Sequence, residues 1–101
     1  MILAHVLGTV VSTRKDRGLL GLKLLLVREV DVTLKPTGNY VVAADAVGAG
    51  TDELVMLAQG SSARMTEVSK EKPVDAVIVG IVDAVEVAGK DVYLKRAESA
   101  R

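Results

Sequence analysis

Few side chains in this sequence could do chemistry, and they are scattered. The lone histidine, His5, lies inside an apolar stretch, where one imidazole has neither a second ligand for a metal nor a partner to orient it as a base. Its expected role is structural. Ser61 and Ser62 carry hydroxyls that could act as nucleophiles, but neither occupies a Gly-x-Ser-x-Gly elbow, and the sequence has no second histidine to activate them. Asp45, Glu53, Asp75 and Asp83 could pair for acid–base work or hold a hard cation. They lack the dense alternating spacing of a calcium loop, and loop termination, capping and salt bridges account for them better. A small hydrolase or isomerase would need a cleft assembled from Asp45, Glu53 and Asp83. No catalytic residue, metal site or cofactor is expected.

Two further patterns invite a binding role. Gly48-Ala49-Gly50 is compared with a phosphate-cradling loop, yet no third glycine at the dinucleotide spacing and no Gly-Lys-Ser/Thr ending follow it. The next element reads as a strand, where a phosphate loop needs a helix N-terminus. A tight β-turn is expected instead. Arg14, Lys15 and Arg17 are interrupted by Asp16 and read as a solvated turn. Thirteen residues of each charge give a net charge of zero, and Tyr40 and Tyr93 are the sole aromatics. Single-strand binding draws on a basic groove and aromatic platforms, so nucleic acid is not an expected partner.

The elements that position these residues follow from patterning. With 101 residues, 50% of them hydrophobic, the chain has the size of one domain, expected over 1–101, with a small core that association with its own copies would enlarge. It has no cysteine, which fits a reducing compartment. Met1 to His5 shows no cationic segment leading into an apolar one, so no signal peptide is expected. The longest apolar run, Ala76 to Val82, is far short of the ~20 residues of a membrane-crossing helix, and no membrane partner is expected.

Valine occurs eighteen times, so β-branched side chains must fill a sheet. Strands are expected over 1–13, 19–30, 40–47, 53–59, 75–87 and 91–95. Turns are expected at 15–18, 35–39, 48–52 and 88–90, where Gly, Pro and Asn cluster. A short helix is expected over 60–67, entered at Ser61 or Ser62 as a cap. Residues 69–73 read as a polar linker and 97–101 as a frayed tail. The implied class is all-β: a small five-stranded OB-like closed barrel with one short helix. Several strands are apolar on both parities, which is more than one barrel interior can bury. Copies of the same chain are the simplest cover.

The stretch Asp45-Ala46-Val47-Gly48-Ala49-Gly50-Thr51-Asp52-Glu53-Leu54-Val55 is followed by Gly60-Ser61-Ser62-Ala63-Arg64 and by Val74-Asp75-Ala76-Val77-Ile78-Val79-Gly80-Ile81-Val82-Asp83. In this order, with the opening Val6-Leu7-Gly8-Thr9-Val10-Val11-Ser12-Thr13, they resemble the bacterial microcompartment vertex proteins of EutN/CcmL type. That family includes the carboxysome and ethanolamine-utilisation pentamers. One departure is Asp52, where the family pattern has glycine before the glutamate.

The resemblance implies a homopentamer at the corners of a polyhedral shell in the bacterial cytoplasm, beside hexameric or trimeric shell proteins. It also implies that Gly48, Ala49, Gly50 and Thr51 lie near the five-fold axis, with Glu53 fixing their loop. Ser61, Ser62 and Arg64 would serve subunit or neighbouring-tile contacts, the serines also capping the short helix. The alternative from the residues themselves is an OB-like binding module for single-stranded nucleic acid or peptide.

Overall fold

Alternation of side chains builds the inner lining of the molecule, whose residues 1–95 are described by a computed structural model. Strand β1 (Ile2–Val10) turns Ala4 and Val6 inward, and β2 (Leu24–Val30) turns Leu25 and Val27 to meet them. Strands β3 (Pro36–Asp45), β4 (Leu54–Gln59) and β5 (Ala76–Ile81) add Ala43, Val55, Leu57, Ala76 and Ile78 to the same cluster. Hydrogen bonding in the order β1-β2-β3-β5-β4 closes the barrel, which is the expected five-stranded class. Four seams are antiparallel, while β3 and β5 meet in parallel through Ala44↔Val77 and Asp45↔Ile78.

The opposite parity is apolar too, and two excursions cover part of it. A hairpin of β6 (Ala84–Val87) and β7 (Lys90–Leu94) packs Tyr93 and Val85 over Leu54, Val30 and Leu3. Its turn places Ala88 and Gly89 at φ of 52° and 81°, the left-handed pair that matches the twist of a two-residue hairpin. Residues 60–74 lay Ala63 and Val74 over Ala44, Ala58 and Val77. Buried Ser69 pins that segment, donating its hydroxyl to the Ala63 carbonyl and sharing a 2.6 Å hydrogen bond with the Thr66 hydroxyl.

Four expectations need correction. The strand expected over 75–87 divides at Val82 and Asp83. Its apolar residues pass from the barrel interior at Ile78 to the barrel's outside at Val82 and Val85, so hydropathy does not mark the break. The second strand begins at Leu24, because Asp16 accepts from the Gly18 amide at 2.7 Å to start a 3-10 turn at Arg17–Leu19, and Gly21 at φ 83° ends the irregular stretch. The loop expected at 35–39 lies earlier: the Asp31 carboxylate gathers the Thr33 amide, the Thr33 hydroxyl and the Lys35 amide at 2.8, 2.6 and 3.1 Å. Pro36 then opens β3 opposite Val30, a strand start that requires no N–H. The short helix is a 3-10 helix confined to Gly60–Arg64. The tail expected at 97–101 falls outside the described residues.

Candidate functional site

The loop between β3 and β4 is organised by the residue that ends β3. Asp45 is only 9% exposed; its own amide donates to the Lys23 carbonyl at 2.9 Å, which turns its carboxylate into the loop. One carboxylate oxygen accepts the amides of Val47 and Gly48, both at 3.1 Å, and the other accepts Ala49 at 3.0 Å. Gly48 at φ 78° lets these successive amides converge. Converging amides form a concavity for an anion, and here the chain's own carboxylate occupies it.

The second half of the loop closes on Glu53. Its carboxylate accepts the Gly50 amide at 2.6 Å, while its amide donates to the Gly50 carbonyl at 3.2 Å. Asp52 takes φ of 71° and donates its amide to the Val6 carbonyl at 2.8 Å. Aspartate tolerates this left-handed conformation better than most side chains, so the loop keeps a glycine-type backbone without glycine. The other oxygen of Glu53 pairs with Lys95, at the end of β7. The Lys95 ammonium, helped by the Gly50 amide, holds the Glu53 carboxyl below the usual glutamate range, and Glu53 holds Lys95 above the usual lysine range. Lys23 adds a 3.4 Å contact from its ammonium to the Ala49 carbonyl.

Gly48, Gly50, Thr51 and Glu53 therefore share one braced loop, while the Ala49 side chain is turned into the barrel core. Lys23 and Lys95 escape sequence reasoning: they lie 26 and 42 residues from their partners, and no local pattern marks them. Ser61, Ser62 and Arg64 sit at the far end of β4, a distance on the order of 20 Å for a six-residue strand. The expected serine cap is not formed. Gln59 occupies the cap position without a side-chain bond, because a 3-10 helix this short leaves few amides to satisfy. Arg64 donates to the Val74 carbonyl at 3.4 Å and so ties the covering segment together. His5 lies half-buried on β1 between Arg28 and Leu54. Among the described residues, no three His, Cys, Asp or Glu side chains converge as a metal site.

Residues 1–83 match the family model described as Ethanolamine utilisation protein EutN/carboxysome. The chain belongs to the EutN/CcmL family. It is 51% identical over 96 residues to the carboxysome shell vertex protein CcmL of Synechocystis sp., covering 95% of this chain and 96% of that one. The solved structure of Gloeobacter violaceus CcmL superposes with a TM-score of 0.91 at 45% identity, covering 95% of this chain and 99% of that one. GrpN from Rhodospirillum rubrum, a pentameric microcompartment shell protein, superposes with a TM-score of 0.77 at 46% identity, covering 87% and 99%. The EutN/CcmL barrel thus accounts for the five strands. Within it, Asp45, Glu53 and Lys95 brace the loop between β3 and β4.

Proposed function

We infer that this chain is a structural vertex protein: five copies form a ring that occupies the corners of a microcompartment shell in the bacterial cytoplasm. The observation that carries this reading is the near-full-length match to a shell vertex protein, at 51% identity over 96 residues. Physical reasoning agrees. Flat hexagonal sheets cannot close, and five-fold units supply the missing curvature; a head-to-tail interface repeated around an axis makes such a unit. Exposed Tyr40, Val42, Val92 and Leu94 supply apolar surface of the kind an obligate interface buries. The whole of 1–101 acts as one vertex domain, in contact with hexameric or trimeric shell proteins through the end that bears Ser61, Ser62 and Arg64.

The chain works by assembly rather than catalysis. Asp45 and Glu53, two of the three carboxylates an enzymatic cleft would require, are engaged in holding the loop. Gly48 to Thr51 border the ring's axis. Gly50 supports this placement, because an added Cβ would meet nothing closer than the Glu53 carboxylate at 3.5 Å and its φ is not left-handed. Its own chain does not require glycine there, whereas five backbones converging on an axis would.

Native mass spectrometry at micromolar concentration tests the reading. The wild-type chain forms rings of five without ligand, and Gly50→Val yields folded chains with most of the ring population lost. A stable wild-type monomer that gains salt-sensitive oligonucleotide binding would establish the binding-module alternative instead. Intact Gly50→Val rings would remove the loop from the axis.

A further inference from the structure

Charge is balanced over the chain but unevenly placed. Arg14, Lys15 and Arg17 against Asp16 leave residues 14–17 with two net positive charges, and the remainder of the chain with two negative ones. All four side chains are exposed in the connection from β1 to β2. No ion pair among the described residues engages the three cations, and the Asp16 carboxylate is occupied by the Gly18 amide at 2.7 Å. The connection is held from several sides. The Ser12 hydroxyl donates to the Arg14 carbonyl at 2.7 Å, and the Lys15 ammonium to the Ser12 carbonyl at 3.1 Å. A Cβ added at Gly18 would come within 2.6 Å of Pro73 Cδ, so glycine is required there for the turn to rest on the covering segment. Cations fixed in place before a ligand arrives spare it part of the ordering cost of binding.

Apolar side chains stand among these cations. Val11 is 85% and Leu20 58% exposed, and the Leu20 amide donates to the Arg17 carbonyl at 3.1 Å, which fixes the leucine one tight turn from the arginine. The connection ends beside the β3–β4 loop: the Lys23 carbonyl accepts the Asp45 amide at 2.9 Å, and the Lys23 ammonium reaches the Ala49 carbonyl at 3.4 Å. Lys23 is therefore spent on the chain's own loop, whereas Arg14, Lys15 and Arg17 face outward around it.

We propose that the turn over residues 14–20 docks an acidic, leucine-bearing segment of another protein, and that the ring displays five such turns around one of its mouths. The second half rests on the vertex reading, which sets the adjoining β3–β4 loop at the axis. Complementary charge selects the ligand: its carboxylates meet Arg14, Lys15 and Arg17 while its apolar side chains cover Leu20 and Val11. Nucleic acid suits the turn less well, because single strands stack on aromatic side chains and the two tyrosines lie elsewhere, on β3 and β7. An anionic lipid surface draws on clusters of about four to eight cations, more than this turn supplies. A partner carrying several such segments engages several turns of one ring at once, and gains about 10²–10⁴ in avidity over a single contact.

Fluorescence anisotropy with a labelled synthetic peptide of glutamates interspersed with leucines tests the proposal, with native mass spectrometry reporting the oligomeric state of the same sample. Wild-type rings bind the peptide. Arg14→Gln combined with Arg17→Gln weakens binding about tenfold, as the loss of two exposed ion pairs implies, and added salt narrows the difference. Leu20→Ser weakens it separately, with the salt dependence unchanged. These three side chains are exposed and make no side-chain hydrogen bond among the described residues, so the variants fold. A surface densely coated with the peptide releases rings far more slowly than the free peptide dissociates. Rings that ignore the peptide, or bind it equally well in the arginine double variant, would overturn the proposal and leave the vertex reading intact. Tighter binding to oligothymidine or to phosphatidylserine vesicles than to the peptide would overturn it too, by assigning the turn to another class of partner. A monomeric wild-type chain would sink the vertex reading and this proposal with it.

Discussion

Replacing Asp45 by alanine tests whether the loop is held by its carboxylate. That carboxylate accepts three backbone amides at 3.0–3.1 Å. Val47 and Gly48 are exposed and their amides can bond water instead, so each costs about 0.5–1 kcal/mol. Ala49 is 1% exposed, and its amide is left buried without a partner at about 1–3 kcal/mol. The sum is about 2–5 kcal/mol, or roughly 10–25 °C in Tm for a domain of this size. Asp45→Asn keeps one acceptor oxygen and falls between the variant and wild type. Urea unfolding at a fixed chain concentration measures the loss, since ring formation would otherwise shift the midpoint. Amide hydrogen exchange at Ala49 locates it. An Asp45→Ala protein within about 0.5 kcal/mol of wild type, or one with unchanged Ala49 protection, would refute the reasoning.

Two further predictions concern neighbouring parts of the fold. Glu53 has its carboxyl lowered by Lys95 and Gly50, so its stabilisation is present above the unfolded glutamate value and fades as pH falls through the lower folded value. Glu53→Gln therefore flattens the acid limb of stability against pH, measured by urea melts from neutral to strongly acid pH. The limb persists in part because Asp31, lowered by the Thr33 hydroxyl and the Lys35 and Thr33 amides, acts in the same direction; an unaltered limb would exclude Glu53 as a contributor. Leu54 is fully buried between barrel and hairpin, so Leu54→Ala costs about 2–5 kcal/mol. Its extra hydrogen exchange should concentrate in β6 and β7, and uniform acceleration across the barrel would contradict the hairpin's dependence on this contact.

Strand content was legible where apolar side chains are dense and turn signals flank them: β1 and β4 follow from their valines and leucines, and the Ala88-Gly89 reversal follows from turn chemistry. The break at Val82–Asp83 was not, because apolar residues flank it on both sides while the partner they pack against changes. The reversal at Asp31 was hidden by the stronger Pro-Thr-Gly-Asn signal after it, since a carboxylate that gathers three donors outweighs the preferences of residues that can equally begin a strand. At the site, Gly48 to Glu53 stood out by composition and lie in one loop. The bracing by Lys23 and Lys95 depends on tertiary approach, and the serine cap failed because the segment expected to form a longer helix is a single tight turn.

The parallel seam between β3 and β5 rests on two residue pairs, Ala44↔Val77 and Asp45↔Ile78, and one of them is the residue that pins the loop. The seam with the fewest residue pairs and the anchor of the β3–β4 loop thus share one amino acid. Mechanical load that pries this wall apart slackens the loop in the same event, so the two cannot fail independently.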